Sequence, residues 1–234
     1  MEDSLIDKVA WVGKGDVRGP IRAVVLRFAG LGNTALKPDA DSVEMEWADA
    51  GALIVAPYHN PWAWMNQPTR DFVDELVDGL FARYDLHPRT PIISSGASMG
   101  GHGALLYTIL SRHKVSACYA LCPVCDLPYH YTERPDLPRT MHSAFGSYGD
   151  IHETLIQNSV LHQVAQMPDI PYLIIHGLKD EAVGKLNHSD PLVAAMRVCG
   201  LKVDYKEPAQ MQHCWPFDWP LLRHMTDFVL EHMG

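Results

Sequence analysis

The stretch Gly96-Ala97-Ser98-Met99-Gly100 constrains this chain more than any other. It follows the apolar run Pro91-Ile92-Ile93-Ser94-Ser95 and precedes Gly101-His102-Gly103-Ala104-Leu105-Leu106-Tyr107-Thr108-Ile109-Leu110. A strand-like segment joined to a helix-like one through so short a glycine-flanked stretch must turn sharply. Gly96 and Gly100 flank the bend, where a Cβ would strike the adjoining strand or helix. Such a turn lifts Ser98 out of the backbone, with the next helix's N-terminus beneath its hydroxyl.

Strand-like and helix-like segments alternate along the rest of the chain, the pattern of a mostly parallel twisted sheet flanked by helices in an α/β fold. Ile21 to Phe28 reads as a strand ahead of the turn Ala29-Gly30-Leu31-Gly32. Asp41 and Glu44 have the spacing of a capping box, opening a helix with Val43 and Trp47 on its apolar side. A buried strand, Ala52 to Ala56, comes next. Phe72, Val73, Leu76, Val77, Leu80 and Phe81 then recur at helical spacing. A strand through Val115 to Leu121 follows the serine turn. From about Cys122 to Met167 the pattern loosens, which predicts an insertion, a partly helical cap or lid with its own mobility. Alternation resumes with a strand over Ile170 to Ile175, a helix from Pro191 to Val198, a strand at Val203 to Tyr205 and a closing helix from Pro220 to Glu231. No linker or repeat divides the 234 residues, so 1–234 is expected to be one domain.

Composition narrows the function classes. The apolar share is 47% and the charged share 20%, ordinary values for a globular chain. The net charge of -9 argues against nucleic acid and anionic membranes as partners. No apolar run is long enough to cross a bilayer. The acidic opening Met1-Glu2-Asp3-Ser4 lacks the layout of a secretion signal, and five cysteines are an odd number, which together predict a cytoplasmic protein.

A serine hydroxyl needs an adjacent base, usually a histidine oriented by a carboxylate. In an open α/β sheet these groups lie just beyond the carboxyl ends of strands. Two segments fit: His176-Gly177-Leu178-Lys179-Asp180-Glu181-Ala182-Val183, and Glu207-Pro208-Ala209-Gln210-Met211-Gln212-His213-Cys214-Trp215. Glu181 and Asp126 are rival carboxylates; the His-Gly-x-x-Asp spacing favours Asp180.

On these motifs, over residues 20–232, the chain resembles the α/β-hydrolases, near their esterase and prolyl-oligopeptidase-like branches. The resemblance implies Ser98 as nucleophile, His213 as general base and then acid, and Asp180 as its orienting carboxylate. It also implies an oxyanion hole made by the backbone N–H groups of Met99 and Leu31. The chain departs from the family at Ala29, where a histidine commonly precedes the glycine. The expected activity is hydrolysis of a small or medium carboxylic ester through an acyl-enzyme, with no metal and no organic cofactor. Peptide hydrolysis is the enzymatic rival, and a non-catalytic binding protein of the same fold is the other class. The oligomeric state is not legible.

Other residues carry weaker signals. Tyr58-His59-Asn60-Pro61-Trp62-Ala63-Trp64-Met65-Asn66 falls on the same side of the sheet, where Trp62 and Trp64 serve either to stack on substrate or to form a wall under the cap. Tyr129, Tyr131, Met141, Phe145 and Tyr148 of the insertion invite the same two readings, and Arg134 is read as solvated. Cys122-Pro123-Val124-Cys125 has half-site spacing for zinc or redox chemistry but no second pair, so it is read as structural. His102 is expected to pack on the helix after Ser98, His176 to shape the acid loop, and Cys214, Trp215 and Trp219 to serve packing. Asp218 is expected to cap the last helix.

Overall fold

The computed structural model describes residues 1–147 and 149–234; Tyr148 lies outside the described residues. Among the described residues seven strands form one sheet in the order β1-β3-β2-β4-β5-β6-β7: β1 Ala10–Val12, β2 Ala23–Phe28, β3 Ala52–Pro57, β4 Ile92–Ala97, β5 Ala117–Leu121, β6 Tyr172–Ile175 and β7 Val203–Lys206. Of these strands β1 runs antiparallel to its neighbour, pairing Ala10 with Pro57 and Val12 with Val55, and the others run parallel. β4 lies between β2 and β5, matching Phe28 to Gly96 and Ala97 to Leu121.

The strands read as continuous apolar runs because helices cover both faces. Successive residues alternate between two cores. Val24, Leu26 and Phe28 face one core with Val73, Leu76 and Leu80 of α3 (Gln67–Arg83) and Leu105 and Leu106 of α4 (Met99–Leu110). Ala23 and Val25 face the other, with Trp47 of α2 (Ser42–Asp49) and Met225, Phe228 and Val229 of α9 (Trp219–Glu231). The expected capping box is formed: Asp41 accepts from the Val43 and Glu44 N–H groups, and Glu44 reaches back to the Asp41 N–H. Asp218 caps α9 through the Leu221 N–H at 2.9 Å.

The insertion contains α5 (Leu127–Glu133), α6 (Leu137–Phe145), α7 (Ile151–Gln157) and a 3-10 segment over Val160–Gln166. It is held by its own apolar cluster, in which Leu127, Leu137, Met141, Phe145 and Leu155 meet Trp64, Met99 and Val183 at the strand ends. Two elements escaped the sequence pattern, α1 (Asp3–Val9) and β1. α8 (Ser189–Val198) follows the acid loop and covers the same core as α3. The expectation for Trp215 and Trp219 needs correction. Both are exposed, at 66% and 71%, because α9 meets the sheet through Leu221, Met225 and Phe228 instead. Among the described residues no helix is long and apolar enough to cross a membrane.

Candidate active site

Ser98 stands between β4 and α4 with φ 59° and ψ −124°, a left-handed backbone that a non-glycine residue adopts at a cost of about 1–3 kcal/mol. Its neighbours make the turn possible. A Cβ on Gly96 would lie 2.3 Å from the Gly100 carbonyl oxygen, and one on Gly100 would lie 2.2 Å from the Phe28 oxygen. The elbow is pinned by the Ser98 N–H donating to Leu121 O at 2.8 Å, and α4 begins at the very next residue. The Met99 and Leu31 N–H groups have no hydrogen-bond partner among the described residues. Leu31 sits in the turn after β2, and both it and Ser98 face one cavity.

Asp180 follows β6, and its side chain is completely buried. Its Oδ1 accepts from the N–H groups of Ala182 and Val183, each at 2.9 Å. Its Oδ2 accepts from His213 Nδ1 at 2.8 Å and lies 3.2 Å from His176 Nε2. Burial alone would raise this carboxyl's pKa; hydrogen bonds from His176, His213 and the Val183 N–H outweigh it and hold the group well below the usual carboxylate range. His176 shapes the loop as expected. Its Nε2 also meets Val183 O at 2.9 Å and so carries the proton, while Nδ1 accepts from Ser189 Oγ at 2.6 Å.

His213 follows β7 and is half-buried. Desolvation lowers its pKa, but the hydrogen bond and charge of Asp180, with a contribution from Cys122, raise it to about 9. Because Nδ1 donates to Asp180, the neutral ring has its lone pair on Nε2. No hydrogen bond joins Ser98 Oγ to His213 among the described residues; the two side chains meet across the cavity, a spacing common before substrate binds.

Gly177, part of the His-Gly-x-x-Asp motif, has a structural task that the motif alone did not show. A Cβ there would lie 2.2 Å from Met211 O, so the acid loop and the histidine loop touch through bare backbone. Hydrogen bonds from Leu178 N to Pro208 O (3.2 Å) and from Lys179 N to Met211 O (3.0 Å) fasten the two loops.

The cavity holds about 410 Å³ and is lined by Gly30, Leu31, Trp64, Ala97, Ser98, His130, Arg134, Ala182, Val183, His213 and Cys214. Of the two candidate tryptophans, Trp64 lies in this wall. It is sealed beneath α6, its indole N–H donating to Thr140 Oγ1 at 3.0 Å, and Trp64 and Met65 both have positive φ. Trp62 is not part of the lining and faces the Arg139 guanidinium at 5.5 Å. The rival carboxylates stand elsewhere: Glu181 is exposed, and Asp126 caps α5 through the Tyr129 N–H. His102 is fully buried on α4, and burial pushes its pKa down to about 4. Cys125 is buried with its thiol toward Pro123 O, so Cys122 and Cys125 do not act as a pair; Cys122 instead accepts from the Cys214 N–H at 3.3 Å. Cys214 is no mere packing residue, since it reaches the cavity wall.

The insertion contributes two polar groups that are not simply solvated. Arg134 forks onto Asp136 through Nε (3.0 Å) and Nη2 (2.7 Å) and lines the cavity. His130 hydrogen-bonds Glu133 through Nδ1, and Glu133 also accepts from His188 Nε2 at 3.1 Å. The proton of His188 is fixed on Nε2 because its Nδ1 accepts from the Cys125 and Asp126 N–H groups, each at 3.2 Å. His130 therefore donates from Nδ1, which leaves the lone pair of the neutral ring on Nε2, and the residue lines the cavity. Burial opposes ionisation of Glu133, but its hydrogen bonds with His130 and His188 bring its pKa down to about 2.

No family model matches the sequence. Among solved structures, the chain is similar to a truncated carbohydrate esterase from gut microbiota, with 18% identity, a TM-score of 0.72, and coverage of 92% of this chain and 87% of that one. It is also similar to an S-formylglutathione hydrolase from Agrobacterium tumefaciens (16% identity, TM-score 0.68, 96% and 89% covered). A puromycin-hydrolyzing peptidase of Mycobacterium tuberculosis matches at 14% identity and TM-score 0.73, over 93% of this chain but 34% of that one. The chain spans between 33% and 37% of the length of the larger peptidases it matches. The sheet order, the serine elbow and these likenesses define an α/β-hydrolase fold.

Proposed function

We propose that the protein is a serine hydrolase that cleaves a small carboxylic ester through an acyl-enzyme. The observation that carries this reading is one cavity shared by the strained Ser98 and by His213, whose Nδ1 is anchored on buried Asp180. In this reading Ser98 Oγ attacks the ester carbonyl and His213 Nε2 takes its proton. The charge that develops on the carbonyl oxygen meets the unpaired N–H groups of Met99 and Leu31, each such donor contributing about 10²–10³ in rate. His213 then protonates the leaving alcohol. A water molecule, activated by the same nitrogen, releases the acid and frees Ser98. All these steps are proton and acyl transfers that the named side chains and backbone groups perform by themselves.

The cavity is at the small end of the range for ligand sites. Its insertion wall carries His130, whose tautomer makes Nε2 an acceptor, and Arg134, a donor. One hydroxyl on the substrate satisfies both, so the preferred ester carries a hydroxyl on its acyl or alcohol part. The likeness to a carbohydrate esterase supports this preference, and the peptidase likenesses support a second reading, cleavage of an amide.

The test is turnover of matched ester and amide substrates with the same acyl group, with intact-protein mass spectrometry of the quenched reaction. The ester reading expects faster ester turnover and a transient mass increase equal to the acyl group, absent in Ser98→Ala. Faster amide cleavage selects the peptidase reading. Undiminished hydrolysis by Ser98→Ala contradicts both.

A further inference from the structure

Three clusters of metal-ligating side chains occur among the described residues, with the ligand atoms in each within 4.8 Å of one another. Two are already saturated. In His130–Glu133–His188, a cation on His188 Nε2 would force the proton onto Nδ1, against the two N–H groups that donate to it. In Cys122–His176–Asp180, both nitrogens of His176 are committed, to Ser189 and Val183. The third cluster, Cys122–His213–Cys214, differs in its donors: two thiols, whose protons a cation can displace, and an imidazole with one nitrogen on Asp180. Its two thiols hydrogen-bond each other and Cys122 also meets His213, while the Cys214 thiol makes a long contact to Leu121 O at 3.9 Å.

The backbone converges on this third cluster by unusual means. Cys122 at the end of β5 has φ 43°, and Cys214 after His213 has φ 61°; both are non-glycine residues in the left-handed region. The Cys214 N–H donates to Cys122 Sγ at 3.3 Å, a contact that strengthens when the sulfur is a thiolate. Strain at two positions thus brings two thiols 92 residues apart alongside the imidazole.

We propose that Cys122, His213 and Cys214 form a three-ligand site for a thiophilic divalent cation, zinc being the reference case. Two thiolates and one imidazole are a donor set that zinc takes with a fourth position open. As the two metal–sulfur bonds form, the two thiol protons leave to solvent. A cation on His213 removes the lone pair that accepts the serine proton, or displaces Asp180, so occupancy silences the site reversibly. Silencing rests on the proposed role of His213; binding itself does not.

The experiment titrates the reduced, chelator-stripped full chain with Co²⁺ and then Zn²⁺, reading the sulfur-to-cobalt charge-transfer band. The expected result is one equivalent of Co²⁺ with that band, displaced by Zn²⁺, and lost in Cys214→Ser and Cys214→Ala. Cys199→Ser, at the exposed thiol, retains the band. Ester turnover and fluorophosphonate labelling, each referred to the same variant's metal-free rate, fall with zinc and recover with chelator. Cys214→Ser raises the zinc concentration needed by at least about tenfold, the loss of roughly 1.4 kcal/mol of binding. Absence of the band in folded wild type, or a band that survives both Cys214 variants, overturns the site. Zinc that binds without slowing turnover overturns the silencing. Metal-free protein that binds Co²⁺ yet never labels contradicts the hydrolase reading and leaves the metal site standing.

Discussion

At Asp180 four donors converge on one carboxylate: two backbone N–H groups on Oδ1, and His176 and His213 on Oδ2. The carboxylate is ionised and fixed before substrate arrives, so it sets the tautomer of His213 rather than exchanging protons with it. Asp180→Asn retains the shape but removes the preference for Nδ1–H, and kcat is expected to fall about 10⁴-fold with little change in KM. Steady-state kinetics of the variant check this; a loss under tenfold would remove Asp180 from its assigned role. His130 gives a second prediction at this scale. With its acceptor gone, His130→Ala is expected to lose about tenfold in kcat/KM for a hydroxybutyrate ester while the matched butyrate ester changes little. Equal losses on both esters would mean that the residue only shapes the wall. The placement of Ser98, Asp180 and His213 at one end of the sheet was legible in the sequence because each follows a strand within a few residues. The place of His130 in the wall was not legible, because the Glu133 carboxylate that orients it is itself held by His188, 55 positions further on.

The elements were legible where burial is two-sided or strongly periodic, as in β2 to β6 and α3. β1 was missed because it has only three residues and pairs antiparallel at the sheet edge, so no apolar run marks it. The contact between the β6 and β7 loops was equally hidden, since it is made of backbone. Gly177→Ala places a Cβ 2.2 Å from Met211 O and must part those loops. The expected cost is about 1–3 kcal/mol of stability, read by thermal unfolding, together with slower ester turnover. An unchanged melting temperature and unchanged kcat would show that the loops are not coupled there. The α5 relay carries a pH prediction. Glu133 has a pKa of about 2 when folded, against 4.5 as its ordinary value, so its ionised form stabilises the fold. That contribution is complete above about pH 4.5 and is lost as pH falls toward 2. The stability advantage of wild type over Glu133→Gln should therefore be greatest near neutrality and shrink through this window. An advantage independent of pH would place the effect in packing alone.

Across the whole molecule, the seven strands deliver the Leu31 turn, Ser98, Asp180 and His213 to the same sheet end, from β2, β4, β6 and β7. The insertion closes over that end through its own apolar cluster and adds His130 and Arg134 to the wall. Its extent was legible from the loosened pattern between Cys122 and Met167. Its three helices were not, because each is short and its apolar face is completed by Trp64, Met99 and Val183 from outside the segment. The central claim is that this arrangement activates Ser98. The most direct measurement is covalent labelling by a fluorophosphonate of wild type, Ser98→Ala and His213→Ala, each verified as folded by circular dichroism. The account predicts labelling of wild type, none of Ser98→Ala and a much slower reaction of His213→Ala. Well-folded wild type that stays unlabelled, or labelling that persists in Ser98→Ala, would contradict it.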